Sequence, residues 1–184
     1  MKLYLYLKEE HGYTDYQIKL VHYVLISLLS EFSKFILMGI FFCYTSNLTY
    51  YLFSVSLLLI LRRYSGGLHC SSYLACLSTS FFYLYVCITI LPQYAPVRFI
   101  QLVLLAAAIM IGYYISPIPS PYHKELQSGQ IFSYKMVLIV LIFLYFISVF
   151  IFPQNRYLAT GFWVIMIHML QLGAAYLKSV FKEV

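Results

Sequence analysis

FIQLVLLAAAIMIGYYISPIPSPYHKELQSG, Phe99 to Gly129, divides into two parts of opposite character. From Phe99 to Ile118 there is no charged residue. That length is what a helix needs to cross the hydrocarbon core of a bilayer, about 20 residues at about 1.5 Å each. Prolines then recur at Pro117, Pro119 and Pro121. Each lacks a backbone N–H, fixes its own φ and restricts the residue before it, so no helix propagates through them. The stretch predicts a transmembrane helix that stops in a stiff, extended polar connector.

The same pattern recurs along the chain. Apolar runs cover roughly Leu20 to Tyr44, Leu48 to Leu61, Ser72 to Leu91, Tyr134 to Phe152 and Leu158 to Leu177. With Phe99 to Ile118 they make six candidate spans. The second is short, and suits half of a tight hairpin with the first or a tilted, partly buried element. A four-span version, with the second and third runs re-entrant, is the alternative. Composition agrees: 62% of the 184 residues are hydrophobic, 20% aromatic and 10% charged, with a mean hydropathy of +0.83. A soluble domain is about half apolar and about a quarter charged, and no water-soluble fold of this size hides so much apolar surface. The expectation is an all-α, polytopic integral membrane protein forming one domain over 1–184.

The opening stretch, MKLYLYLKEEHGYTDYQIKL, carries charges throughout and no clean apolar core before a small-residue cleavage site. It reads as an amphipathic interfacial helix with Leu3, Leu5, Leu7, Ile18 and Leu20 as anchors, not as a signal peptide. The formal charge is +6 and the pI about 9.1. The basic residues sit at the ends of apolar runs, which points to anionic lipid headgroups as partners and away from nucleic acid.

With six spans and a cytoplasmic N-terminus, the inside holds Lys2, Lys8, Lys19, Arg62, Arg63, Lys124, Lys178 and Lys182, and the outside only Arg98 and Arg156. The positive-inside rule therefore places both termini and the stretch from Arg62 to Cys76 on the cytoplasmic face. Glu31 and Lys34 fall within the first span at i,i+3, the spacing of an ion pair on one helix face. Ionised groups at that depth face protein. A packing role is the plain reading and a place beside a site the sharper one. Cys43, Cys70, Cys76 and Cys87 all lie in or beside apolar runs, a poor pattern for a disulfide framework, so free thiols are expected for at least three of them.

The densest polar cluster is RRYSGGLHCSSYLAC, Arg62 to Cys76. Arg62 and Arg63 anchor topology or dock a carboxylate. Gly66 and Gly67 permit a tight turn, positive φ angles or close approach of a peptide. His69 and Cys76 are seven apart. On one straight helix they would share a face but be separated by about 10.5 Å along the axis, too far for the 2.6–3.2 Å contact of a nucleophile with its base. A catalytic pair therefore needs a helix that begins after His69, capped by Ser71 or Ser72. Given that, imidazole takes the thiol proton and the thiolate attacks a carbonyl. Cys70 is the competing nucleophile. His69, Cys70 and Cys76 do not match a structural zinc spacing.

RRYSGGLHCSSYLACLSTS resembles the signature of the AgrB family, the accessory gene regulator B membrane peptidases. The family pattern is matched at Arg62, Arg63, Ser65, Gly66, Gly67, His69, Cys76 and Ser80. Length, basic character, multiple spans and the proline-containing connector before a lysine fit as well. The resemblance implies a cysteine endopeptidase with His69 as base and Cys76 as nucleophile. It would remove the C-terminal tail of an AgrD-like quorum-sensing precursor and cyclise the remainder through a thioester on Cys76. It also suggests a homodimer, and it calls for no cofactor or metal. Arg62, Arg63, Ser65, Gly66, Gly67, Ser80 and Lys124 would bind substrate or support the site, Lys124 being equally well explained as a topology charge. No third catalytic residue stands out; Ser80, Glu125 and Gln127 are candidates, and His123 could approach the site.

Two residues read most simply as structural. His168, between Met166 and Met169, suits a packed, hydrogen-bonded core histidine, and Trp163 an interface anchor. The rival function is a non-enzymatic peptide transporter component or receptor. A transporter usually carries ionisable groups in several spans, whereas here only the first has an opposite-charge pair.

Overall fold

The computed structural model describes residues 14–67, 72–118, 128–152 and 155–181. Within them the secondary structure is entirely helical: α1 (Asp15–Tyr44), α2 (Leu48–Ser65), α3 (Tyr73–Tyr85), α4 (Arg98–Ile115), α5 (Ser128–Ile151) and α6 (Arg156–Val180). α3 continues through a π-helical stretch, Val86–Ile90, and a 3₁₀ turn, Leu91–Tyr94. Five of these segments are long and apolar enough to cross a membrane: Asp15–Tyr44, Tyr73–Tyr94, Arg98–Ile115, Ser128–Ile151 and Arg156–Ser179. The protein is an all-α, multi-pass membrane protein.

The ends of the helices follow from local sequence. α4 stops at Ile115, where Ser116 turns extended before Pro117. α2 outlasts its apolar run by four residues, through Arg62, Arg63, Tyr64 and Ser65, and stops at Gly66. α5 begins at Ser128, six residues before the apolar run, because Gln130 and Ser133 are compatible with a first helical turn even though they break hydropathy. Most of the proposed amphipathic N-terminal segment lies outside the described residues. Its last part, from Asp15, is the beginning of α1 and not a separate element.

The chain forms two compact units, Met1–Tyr44 and Thr45–Val184. In the first, α1 carries the anticipated ion pair, Lys34 Nζ to Glu31 Oε1 at 2.6 Å. The second unit is a bundle whose core joins Leu61 of α2, Leu105 and Ala108 of α4, Leu138, Ile142, Tyr145 and Val149 of α5, and Phe162, Ile165, Met169 and Leu172 of α6. Half of the α6 window is buried, against 22% for Tyr73–Tyr94, α4 and α5. The more buried helix can hold Thr160, His168 and Gln171 where a more exposed span could not.

Contacts sort this unit into two ends. At one, Arg156 donates to Asn47 (3.2 Å) and covers the Tyr50 ring, Arg98 covers Phe150, and Tyr145 of α5 donates to the Leu158 carbonyl of α6. At the other, Tyr64 meets Tyr134, Lys135 lies over Tyr113, and Ser65 reaches both Ile118 and His168. α2 therefore runs from the first end to the second, as α4 and α6 do, and α5 runs back. Arg62, Arg63, Lys135 and Lys178 collect at the second end and Arg98 and Arg156 at the first.

Trp163, expected as an interface anchor, is partly buried. It packs against the core cluster beside Phe162, with its indole N–H buried and without a partner.

Candidate functional site at the α2–α3 corner

The cluster read from sequence begins where α2 ends. Gly66 caps the helix, its N–H donating to the Arg62 carbonyl at 3.0 Å. Its backbone, φ 79° and ψ −160°, lies in a region essentially reserved for glycine. A Cβ there would stand 2.6 Å from the Ile118 carbonyl oxygen. The two glycines therefore differ. Gly67 has no positive φ, and a Cβ on it would meet Arg62 only at 3.8 Å, an ordinary contact.

Ser65 is fully buried and is held from several directions. Its Oγ lies 2.8 Å from the Leu61 carbonyl, 3.1 Å from the Gly66 carbonyl and 2.7 Å from His168 Nε2. Its own carbonyl accepts from Ile118 N–H at 3.0 Å. Beside it, Ser116 Oγ donates to the Tyr64 carbonyl at 3.3 Å. The proline connector is thus fastened at its root to the end of α2. One turn back, Arg62 Nη2 donates to Gln171 Oε1 at 3.3 Å, while its buried Nε has no partner. Arg63 is exposed.

The chain emerges from the next four residues at Ser72, which opens α3. Ser72 is extended, and its Oγ accepts from Ala75 N–H at 3.2 Å, an N-cap of the kind the serines foreshadowed. Cys76 N–H then makes the first full helical bond, to the Ser72 carbonyl at 3.0 Å. Cys76 is half-buried and begins the inward stripe of its helix, followed by Ser80, also half-buried, and then Tyr83, Leu84, Cys87 and Ile88, all buried. Tyr83 fixes that face by donating to the Val164 carbonyl at 2.7 Å. Cys43, Cys76 and Cys87 are not in disulfides.

His69 and Cys70 lie outside the described residues, as do His123, Lys124, Glu125 and Gln127. What the structure describes is therefore the two flanks of residues 68–71: Arg62, Ser65, Gly66 and Gly67 at the end of α2, and Ser72, Cys76 and Ser80 at and beyond the start of α3. Ser72→Ala should remove about 1 kcal/mol of local helix stability. Faster hydrogen exchange at the amides of Ala75 and Cys76, with the α6 amides unchanged, is the expected readout.

Two partners of these residues were not legible in the sequence. His168 was expected to find a hydrogen bond in the core, but nothing named Ser65 as its partner. Gln171, three residues on and so on the same face of α6, carried no signal; its partner Arg62 is 109 positions away.

The accessory gene regulator B family model matches residues 1–172. The chain belongs to the AgrB family. A Clostridium beijerinckii protein described as AgrB-like is 36% identical over 63 residues, which cover 34% of this chain and 32% of that protein. The chain thus spans about a third of the length of this AgrB-like relative. No solved structure matches.

Proposed function

We propose that this AgrB-family protein is a membrane cysteine endopeptidase that removes the C-terminal tail of an AgrD-like quorum-sensing precursor and closes the remainder into a thiolactone or lactone. The observation that carries the reading is the placement of Cys76. It stands on the first turn of a helix begun by the Ser72 cap, at the start of that helix's inward face. A helix that starts after His69 is what a His69–Cys76 pair demanded.

The chemistry is acyl transfer. His69 takes the Cys76 thiol proton, and the thiolate attacks the carbonyl at the tail junction. The junction C–N bond breaks, the tail amine leaves with the proton returned by His69, and a thioester remains on Cys76. A thiol or hydroxyl within the precursor then attacks this thioester, closing the ring and giving the proton back to Cys76. Thiol exchange is nearly balanced in energy while hydrolysis is strongly downhill, so a sheltered site favours the ring over the free acid. Arg62, Arg63 and Lys124 would attract the acidic tail, and Ser80 would line the site one turn beyond Cys76. The site would face the cytoplasm, with anionic lipids at the basic end of the bundle and a second copy of the chain as partner.

The test uses protein reconstituted in lipid with its precursor and intact-mass spectrometry. The expected adduct equals the precursor less its tail, maps to Cys76 and is absent in Cys76→Ala. Tail removal that survives Cys76→Ala overturns the assignment, and an adduct on Cys70 moves the nucleophile. A precursor that binds but stays whole with wild-type protein supports a transport or receptor role instead.

A further inference from the structure

We propose that His168 is a positioning residue for the reaction at Cys76, acting from the central helix through Ser65 on the corner where the chain enters the segment bearing His69. This rests on the enzymatic reading above and deepens it.

The hydrogen-bond inventory around Ser65 sets the direction of the contact. A serine hydroxyl has one proton and can also accept. The Leu61 and Gly66 carbonyls near its Oγ only accept. The hydroxyl therefore donates to Leu61, the nearer of the two, and His168 Nε2 donates to the hydroxyl at 2.7 Å. In that tautomer His168 Nδ1 is a bare acceptor, and it is buried without a partner. The opposite arrangement would leave a buried N–H orphaned, which is the rarer fault. His168 is 0% exposed, so Ser65 is the polar contact that accounts for an imidazole there. An apolar side chain would fill the space without burying an unpaired nitrogen.

Ser65 has little other freedom. Its carbonyl holds Ile118 N–H, and the next residue is the glycine in the restricted backbone region. His168 thus fixes the Ser65 side chain against α6, and Gln171, on the same face, holds Arg62. Loosening Ser65 leaves the helices standing but lets the end of α2 and Gly66 shift. A displacement of about 1 Å costs an enzyme about 100-fold.

The experiment compares His168→Leu, His168→Gln, Ser65→Ala and the double variant His168→Leu/Ser65→Ala in full-length protein in vesicles. Single-turnover acylation of Cys76, KM for the precursor and thermal melting are measured together. His168→Leu is expected to slow acylation by on the order of 100-fold with KM and the melting transition little changed. His168→Gln, whose amide N–H can reach the serine oxygen, should restore most of the rate. Ser65→Ala should match His168→Leu, and the double variant should be no worse than either. An unimpaired His168→Leu, a glutamine no better than leucine, or losses that multiply or follow the folded fraction would overturn the proposal. If His168→Leu does not fold, Ser65→Ala, which removes a single oxygen, carries the same comparison with wild type.

Iodoacetamide alkylation, read at the Cys76 peptide, separates this proposal from the enzymatic reading. If wild-type protein leaves the precursor whole, that reading fails. His168 is then judged on whether leucine changes the Cys76 alkylation rate and glutamine restores it; no change rejects the positioning role as well.

Discussion

Alanine at Gly66 is expected to abolish precursor cleavage and lower thermal stability at once. Two independent effects converge on this position. The backbone at φ 79°, ψ −160° is strained for any residue with a Cβ, by roughly 1–3 kcal/mol. The new methyl group would also lie 2.6 Å from the Ile118 carbonyl oxygen, a backbone atom and not the tip of a flexible side chain. Ile118 cannot easily give way, because its N–H is bonded to the Ser65 carbonyl at 3.0 Å. Relief must come from opening the corner, either by letting the proline connector go or by unwinding the last turn of α2. The first frees the root of the segment leading to Lys124; the second moves Arg62 and Ser65. Both displace residues that the proposed reaction uses. The measurement is single-turnover cleavage together with a melting curve in lipid. A Gly66→Ala protein with wild-type rate and melting temperature would show that the corner does not govern the site.

The helices were legible because membrane spans announce themselves in one dimension. An uncharged run of sufficient length stopped by Pro117 needs no knowledge of its neighbours, and the Glu31–Lys34 pair lies within one helix. The Ser72 cap was legible for the same reason, since its bond closes over three residues. The starts of α5 and the end of α2 were missed by several residues because polar side chains there remain helical without being apolar. The difference between Gly66 and Gly67 was hidden entirely: sequence supplies the permission for a positive φ, and only the approach of Ile118 decides which glycine uses it. The Ser65–His168 contact joins residues 103 positions apart. A hydroxyl in the polar cluster and an imidazole inside an apolar run share no period, so nothing short of the packed bundle could pair them.

The same distinction between permission and need predicts a large effect at Gly161, in the middle of the bundle. A Cβ there would stand 2.6 Å from the Tyr145 hydroxyl, 3.0 Å from another atom of that ring and 3.0 Å from Phe53. Neither ring can readily leave. Tyr145 donates to the Leu158 carbonyl one turn before Gly161, and Phe53 is held edge-on by Tyr157 at 5.7 Å. Gly161→Ala should therefore behave as an overpacked core, losing about 1–3 kcal/mol, with a lower melting temperature. Gly173, on the same helix, has no atom within 4 Å of a built Cβ. Gly173→Ala should instead be neutral or raise stability by up to about 1 kcal/mol, the helix preference for alanine. The nearest clash at Gly161 is with an oxygen that phenylalanine lacks, so Tyr145→Phe should partly rescue Gly161→Ala while costing stability in the wild-type background. A sign reversal between the two backgrounds is specific coupling of adjacent groups. Additive losses would mean that α6 shifts as a whole to admit the methyl, and the tight seam between α2, α5 and α6 would then not be what holds the Ser65 end in place.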